Sequence, residues 1–596
     1  MSSSNAAQYA ASVVSLEQLR PYGFFLATLL LCSYLLYQWA LPKPIPGIPY
    51  NVDSSRKILG DIPALLGEIS GTDKTFMNYV RKQVDQHNSP IIQLFLRPFG
   101  KPMVILSDFR ESQDILMRRK EFDRSNFMEE LFQGVAPEHH IMMPTNDVWK
   151  AHRRLLQDLM SPPFLNHVAG PVLHANVLEL IKLWRMKADI AGNRPFSATD
   201  DIYDAALDGV FGFAFGEDFE YSATSPNVKL LEGLSPKDIA RLRQSGGGGD
   251  DEPLEFMTAP RDDAVSSTFD LAHALEEING KPLGKLRWNW IVGRKPRTKR
   301  ALKRRDDYIY GELKKAVQRM EDRDTSVRSA VDHMMQRETK LAEKDGRAPE
   351  YLSPAMADET FGFVIAGHET TSTTVLWALK ILADNPQPQT KLRRLLQAAH
   401  SGAWNEERNP TIDEITGAGI PYLDAVMEEI LRCGGTVPAV DREALCDTEV
   451  LGYHIPKGTQ VIMSGMGPSM LAPGFDVEEG KRSETCQTAK ADGRFKAWRA
   501  EDIGKFNPER WLVPLSGVEE EEQQFNSEAG PQLAFGLGTR GCYGKKLAYL
   551  ELRILVTMIV WNFELLRCPE DLSSYAAIAG ITSKPRKCFV RLRKVL

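Results

Sequence analysis

Cysteine is scarce. The 596-residue chain holds seven, at positions 32, 433, 446, 486, 542, 568 and 588, an odd number with no Cys-x-x-Cys pair. This argues against a disulfide framework, and the soluble part is expected to face a reducing compartment. A basic excess is also lacking: 73 Lys and Arg stand against 79 Asp and Glu, for a net charge of −6. That argues against a nucleic-acid protein. Beyond the first 50 residues no apolar run is long enough to span a bilayer. Neither a Rossmann fingerprint nor a flavin module is visible, so electrons for any redox chemistry must come from another protein. What remains is an ordinary globular composition, 43% apolar and 26% charged, with length enough for a large core.

The one long apolar run is 21–42, free of charge between Arg20 and Lys43. It is expected to be a transmembrane anchor, with Tyr22, Tyr37 and Trp39 at the interfaces. A cleaved signal peptide would have a shorter apolar part and a small-residue cleavage site. Instead a proline-rich stretch comes next, expected as a stiff spacer and hinge over 43–50. Lys43, Arg56 and Lys57 place the bulk in the cytosol by the positive-inside rule. The expected organisation is an N-terminal segment 1–20, an anchor 21–42, a hinge 43–50 and a catalytic domain 51–596.

Residues 91–107 read as a hairpin, and most of the chain beyond it has helical period, beginning with 151–160. The glycine run in 245–253 predicts a flexible surface loop. Ten Lys/Arg in 285–305 predict a solvated basic face, favoured over membrane contact. Residues 354–384 form the longest helical candidate, capped by Ser353, with Pro354 in the first turn and a stop at Asn385-Pro386. At 1.5 Å per residue it would run about 46 Å. Its apolar centre holds Gly367-His368-Glu369-Thr370-Thr371-Ser372, a run that invites local unwinding and marks a functional site.

The strongest chemical signal is the loop 535–544, Phe-Gly-Leu-Gly-Thr-Arg-Gly-Cys-Tyr-Gly. Its glycines permit close approach to a ligand, and Cys542 precedes a helical run, 545–563, whose amino terminus favours a thiolate. With Phe535, Gly538, Arg540, Cys542 and Gly544 this loop resembles the haem-binding signature of the cytochrome P450 family. Other family motifs occur in the family's order: Trp149-x-x-x-Arg153, Ala366-Gly367-x-Glu369-Thr370-Thr371, Glu429-x-x-Arg432 and Phe506-x-Pro508-x-Arg510-Trp511. The resemblance covers about 50–596.

The resemblance implies a mainly α fold with a smaller β region, one large catalytic domain behind an N-terminal transmembrane helix. It implies haem b (iron protoporphyrin IX) with Cys542 as the axial ligand of the iron. Arg153, Arg442 and Arg540 would meet the propionates beside Trp149, and Glu429, Arg432 and Arg510 would form a structural triad. Glu369 and Thr370 would serve proton delivery. The expected activity is monooxygenation of a lipophilic small molecule at the endoplasmic reticulum membrane, of the kind found in secondary metabolism. Electrons would come from an NADPH–cytochrome P450 reductase, with cytochrome b5 a further candidate donor. A redox-independent isomerase or dehydratase and a non-catalytic haem protein are the alternatives. Lys150, His152, Arg154, Lys545 and Lys546 are expected to form a basic rim for the reductase. Phe132, Met142, Met143, Ala366, Val440 and Ile578 are expected to line the substrate pocket. His139-His140 reads as a solvated loop, and 468–500 as an inserted surface loop, a pattern associated with fungal enzymes of specialised metabolism. A second acidic stretch, 519–522, precedes the cysteine loop.

Overall fold

The computed structural model describes residues 16–69, 75–245, 249–279, 284–324, 326–514 and 523–596. The acidic stretch 519–522, part of the glycine run at 245–253 and the first 15 residues lie outside these. The described chain is mainly helical with small sheets to one side. The largest sheet orders its strands Ile91–Leu94, Met103–Leu106, Gln460–Ser464, Ala439–Ala444, Phe122–Asp123. The 91–107 segment is an antiparallel hairpin, with Ile92 opposite Ile105. A parallel junction, Ile105 to Ile462, joins it to the strands that carry Val440 and Arg442.

The helix Pro354–Asp384 crosses the core. Ser353 caps it, accepting from the Met356 N–H at 3.2 Å, and Asn385 leaves helical conformation before Pro386 starts the next helix. The unwinding expected at 367–372 does not occur: the helix is continuous. Its polar groups bond back one turn instead. His368 Nδ1 meets Val364 O at 2.7 Å, Thr370 Oγ1 donates to Ala366 O at 2.8 Å, and Thr374 Oγ1 donates to Thr370 O at 2.9 Å. These bonds form without disrupting the ladder, although His368 Nε2 stays buried without a partner.

The apolar helix Leu16–Ala40 stands apart from the body, with Phe24, Phe25 and Leu30 exposed. Its stretch Tyr22–Ala40 is long and apolar enough to cross a membrane. Trp39 stacks on Phe99, with ring centres 5.9 Å apart. The 43–50 segment is not a free spacer at its inner end. Ile45 and Ile48 are buried, and the Gln93 amide donates to both of their carbonyls, at 2.9 and 2.8 Å.

The inserted segment 468–500 is more than a surface loop. It contains a helix, Glu484–Ala491, and docks on the helix Phe109–Met117. Arg482 forms a bidentate pair with Asp108 at 2.7 and 2.9 Å, both side chains buried, while Ser483 and Thr485 donate to Asp114 at 2.6 and 2.7 Å. The braced helix in turn backs the cysteine loop: a Cβ on Gly538 would lie 2.1 Å from Leu116 O.

Glu551, on the helix Lys545–Asn562, is enclosed beneath the central helix, and Thr371 Oγ1 donates to its Oε2 at 3.1 Å. Burial pushes its carboxyl from 4.5 up to about 8. The folded protein then holds a proton that the unfolded chain releases. Its contribution to stability is full below about pH 4.5 and lost as pH rises to about 8. Glu551→Gln should flatten the fall in thermal midpoint across that window, measured at a series of pH values. An unchanged slope would show that Glu551 is already ionised in the folded state.

A candidate haem-thiolate site

Cys542 lies between a short 3-10 turn, Gly538–Arg540, and the helix Lys545–Asn562. The loop closes on itself through the Cys542 N–H, which donates to Phe535 O at 2.7 Å. Gly536 and Gly538 take φ of 61° and 67°, and Gly538 is held so close to Leu116 O that a side chain there would collide. Glycine is required on both counts. Phe535 packs on Tyr549 at 5.2 Å, and Gly544 leads into the helix. The protein encloses Cys542, yet its side chain remains accessible, so it faces inward onto a cavity. Burial raises its thiol above the ordinary range. Hydrogen bonds from the backbone of Gly544 and Lys545 and the charges of Arg153 and Lys545 act the other way.

Four guanidiniums converge on this region. Arg540 donates to Met143 O at 2.8 Å and lies over the Trp149 ring at 4.6 Å. Arg153, from the same helix as Trp149 (Asp147–Leu156), lies over Tyr543 at 4.4 Å. Burial and the charges of Arg124, Arg442 and Arg153 push Arg540 down to about 9, against the pull of Asp123. Burial and Arg124 push Arg442 down to about 10. Arg442 Nη2 and Arg124 Nε are buried without a partner. Asp123 and Asp441 offset only part of this charge, and four arginines against two carboxylates, with two orphaned donors, call for an anionic ligand. A porphyrin with two propionates, beside a sulfur that a metal cation would hold ionised, satisfies both demands. The residues fit haem. Arg124 has no local signature in the sequence: it follows a two-residue strand, Phe122–Asp123, and only tertiary pairing with 443–444 brings it here.

On the central helix Ala366 is exposed although Ile365 and His368 are buried, so this turn also opens onto an internal space. Thr370 lies one turn on. Glu369 points the other way. Its Oε1 accepts from Tyr203 at 3.1 Å and Thr582 at 3.0 Å, and Lys584 Nζ is 3.9 Å away. Lys584 also pairs with the part-exposed Glu276 at 2.7 Å. Polar groups thus run from the surface to Glu369. Tyr203, Thr582 and Lys584 come from distant segments and carry no local signal.

Glu429, Arg432 and Arg510 meet in the core. The Glu429 carboxylate accepts from Arg432 Nε and Nη2 (2.8 and 2.7 Å), Arg510 Nε (3.0 Å), Asn507 N (2.8 Å) and Trp511 Nε1 (2.9 Å). Arg432 also donates to Met470 O and Ile503 O, both at 2.7 Å, tying the inserted segment to the triad.

Of the pocket candidates, Phe132 is buried at the end of the helix Phe127–Phe132. Met142 and Met143 are half-buried in the turn that meets Arg540, and Val440 is half-buried in the sheet. Ile578 is 44% exposed in the first strand of a carboxy-terminal hairpin, opposite Lys584. Two histidine expectations are corrected. His139-His140 is no solvated loop: His139 is buried, and both rings face the buried carboxylate of Glu359. His152 is not part of an exposed basic rim, because its Nδ1 turns inward to Glu359 Oε1 at 2.7 Å. Lys150, Arg154, Lys545 and Lys546 remain exposed.

The chain matches the family model described as Cytochrome P450 over residues 249–468 and 501–589. The unmatched stretch between them, 469–500, coincides with the docked insertion. It is 45% identical over 587 residues to "Cytochrome P450 monooxygenase TRI13" of Fusarium sporotrichioides, covering 96% of this chain and 98% of that protein. It is 38% identical to "Cytochrome P450 monooxygenase GME11363" of Pestalotiopsis microspora, with 96% and 98% covered. It is 37% identical to "Cytochrome P450 monooxygenase xilC" of Penicillium crustosum, with 96% of each covered.

Proposed function

Because the chain belongs to the cytochrome P450 family and is a monooxygenase, we propose that it hydroxylates, or otherwise oxidises, a lipophilic small molecule of fungal secondary metabolism, with electrons from an NADPH–cytochrome P450 reductase. The observation that carries this reading is the inward-facing Cys542 beside four converging arginines, two of which have buried donors without partners. Haem b, when bound, supplies the activation of dioxygen, which thiolate ligation favours. Cys542 is the iron ligand in this reading. Arg124, Arg153, Arg442 and Arg540, with Trp149, hold the propionates, while Phe535, Gly538 and Gly544 shape the loop.

The protein's remaining task is to move protons and exclude water. Thr370 Oγ1 holds its own proton on Ala366 O, so a turn of χ1 would present that hydroxyl to the exposed face. Glu369, whose Oε1 now accepts from Tyr203 and Thr582, would relay protons to it after its side chain turns toward Thr370, and Lys584 and Glu276 connect it toward solvent. Phe132, Met142, Met143, Ala366, Val440 and Ile578 supply the apolar substrate contacts. Lys150, Arg154, Lys545 and Lys546 steer an acidic reductase, with cytochrome b5 a further donor. The helix Tyr22–Ala40 anchors the enzyme in the endoplasmic reticulum membrane, with residues 43–50 leading into a cytosolic catalytic domain.

The test is turnover under heavy dioxygen by the reconstituted enzyme, supplied with the precursor that accumulates when the gene is deleted. The expected product carries one oxygen from the gas and requires NADPH and reductase. Equal turnover without electrons would instead identify a redox-independent isomerase or dehydratase.

A further inference from the structure

Glu359 lies in the first half of the central helix, ten residues before Glu369, and is fully buried. Its two oxygens have different surroundings. Oε1 is saturated by His152 Nδ1 at 2.7 Å and the backbone N–H of His140 at 2.8 Å. Oε2 faces two imidazole nitrogens, His140 Nδ1 at 2.7 Å and His139 Nε2 at 3.5 Å. The three atoms of this second set lie within 4.8 Å of one another. Gly362, one helical turn on, gives the His139 ring its place: a Cβ there would stand 2.1 Å from the ring. The histidines come from a loop and a helix far away in sequence, and none belongs to the cysteine loop.

We propose that His139 Nε2, His140 Nδ1 and Glu359 Oε2 bind a divalent transition-metal cation of the zinc class, at a site separate from the haem. The donor set of two imidazoles and a carboxylate suits zinc. Zinc–nitrogen and zinc–oxygen bonds near 2.1 Å in tetrahedral geometry place ligand atoms about 3.4 Å apart. The present carboxylate separations of 2.7 and 3.5 Å bracket that value, and the two ring nitrogens, within 4.8 Å of one another, complete the set with a modest turn of the rings. Binding turns a lone pair of each ring toward the centre. For His139 the ring proton moves to Nδ1, at the expense of its long contact from the Ile141 N–H, 3.2 Å. His152 donates to the other oxygen and fixes the carboxylate, as the outer partners of metal ligands do.

The site would clip the 139–143 turn to the central helix. The same turn carries Met143, whose carbonyl receives Arg540. The haem-loaded enzyme, dialysed against trace zinc, is assayed for zinc and iron by plasma mass spectrometry and for zinc ligands by X-ray absorption. Wild type should retain about one zinc per iron, with nitrogen and oxygen but no sulfur neighbours. Cys446→Ser, which removes an exposed free thiol, should retain the same amount. Glu359→Gln and His140→Ala should lose it, and His152→Ala should bind about 10- to 100-fold more weakly. Haem content and the carbon monoxide difference spectrum establish that each variant is folded, so either of the first two serves if the other fails to fold. Wild type that retains no zinc, equal retention by folded Glu359→Gln and His140→Ala, or sulfur among the zinc neighbours would each overturn the site. None of these readouts depends on substrate turnover, so the site can fail while the monooxygenase reading stands.

Discussion

Glu429→Ala is expected to destabilise the protein by about 3–5 kcal/mol, the range for removing one partner from a buried ion pair. Five hydrogen bonds end on this carboxylate, and its side chain and that of Arg432 are fully buried, with Arg510 nearly so. Truncation leaves the buried Arg432 guanidinium without a paired anion, leaves Arg510 only the Asp502 carboxylate at 3.2 Å, and strands the Trp511 N–H and the Asn507 N–H. Arg432 would keep its carbonyl partners Met470, Ile503 and Lys505, which accept hydrogen bonds but carry no net charge. A domain has only about 5–15 kcal/mol in hand, so the expected outcome is little soluble, haem-loaded enzyme and a much lower thermal midpoint in what survives. Glu429→Gln should fall between, since it keeps one acceptor and loses the charge. A midpoint for Glu429→Ala within a degree or two of wild type would show that solvent reaches the triad and that it does not brace the cysteine loop.

The triad is legible in the sequence because one helix supplies two of its three members. Glu429 and Arg432 stand three apart and share a face on any helix. The central helix is legible for a similar reason: cap, first-turn proline and stop are all local. The cysteine loop is legible because the positive backbone angles that demand glycine at 536 and 538 are local to ten residues; the close approach of Leu116 to Gly538 only reinforces that demand. Local bonding also explains why 367–372 stays helical against expectation. A run of Gly, His and hydroxyls weakens a helix in isolation, but here His368, Thr370 and Ser372 find the carbonyl four residues back, while Glu369 and Thr371 find partners on other segments.

Whatever several distant segments make together cannot be read from any one of them. Arg124 gains meaning only beside Arg442 and Arg540. Tyr203 and Thr582 reach Glu369 from 166 and 213 residues away. The histidine pair resembles a solvated loop because nothing near 139 announces a carboxylate at 359. The insertion resembles an appendage because its charged composition suits solvent, yet Arg482 and Asp108 pair across 374 residues in a buried contact. Charged residues are the poorest guides to burial, since a charge is buried only when a partner waits for it, and the partner is chosen by the fold.

Cys542→Ser separates the two halves of the cofactor site. The substitution nearly preserves shape and keeps the Gly544 and Lys545 backbone donors. It replaces a thiol with a hydroxyl that does not ionise at neutral pH, and thiolate donation is thereby lost. The arginine cluster does not depend on the sulfur: Arg442, Arg540 and Arg124 owe their crowding to the sheet and to the 143–145 turn. Haem should therefore still bind, more weakly than in wild type, and the reduced carbon monoxide complex should lose its red-shifted thiolate band. Product formation should fall by about 1,000-fold or more, equivalent to at least about 4 kcal/mol of lost transition-state stabilisation. This pattern differs from that of Glu429→Ala, where haem and fold are lost together. A Cys542→Ser protein that kept the red-shifted band would exclude Cys542 as the iron ligand. A protein that bound no haem at all would mean that the arginines cannot hold the propionates without the sulfur, and that the charge crowded around Arg540 is only part of the binding site rather than sufficient for it.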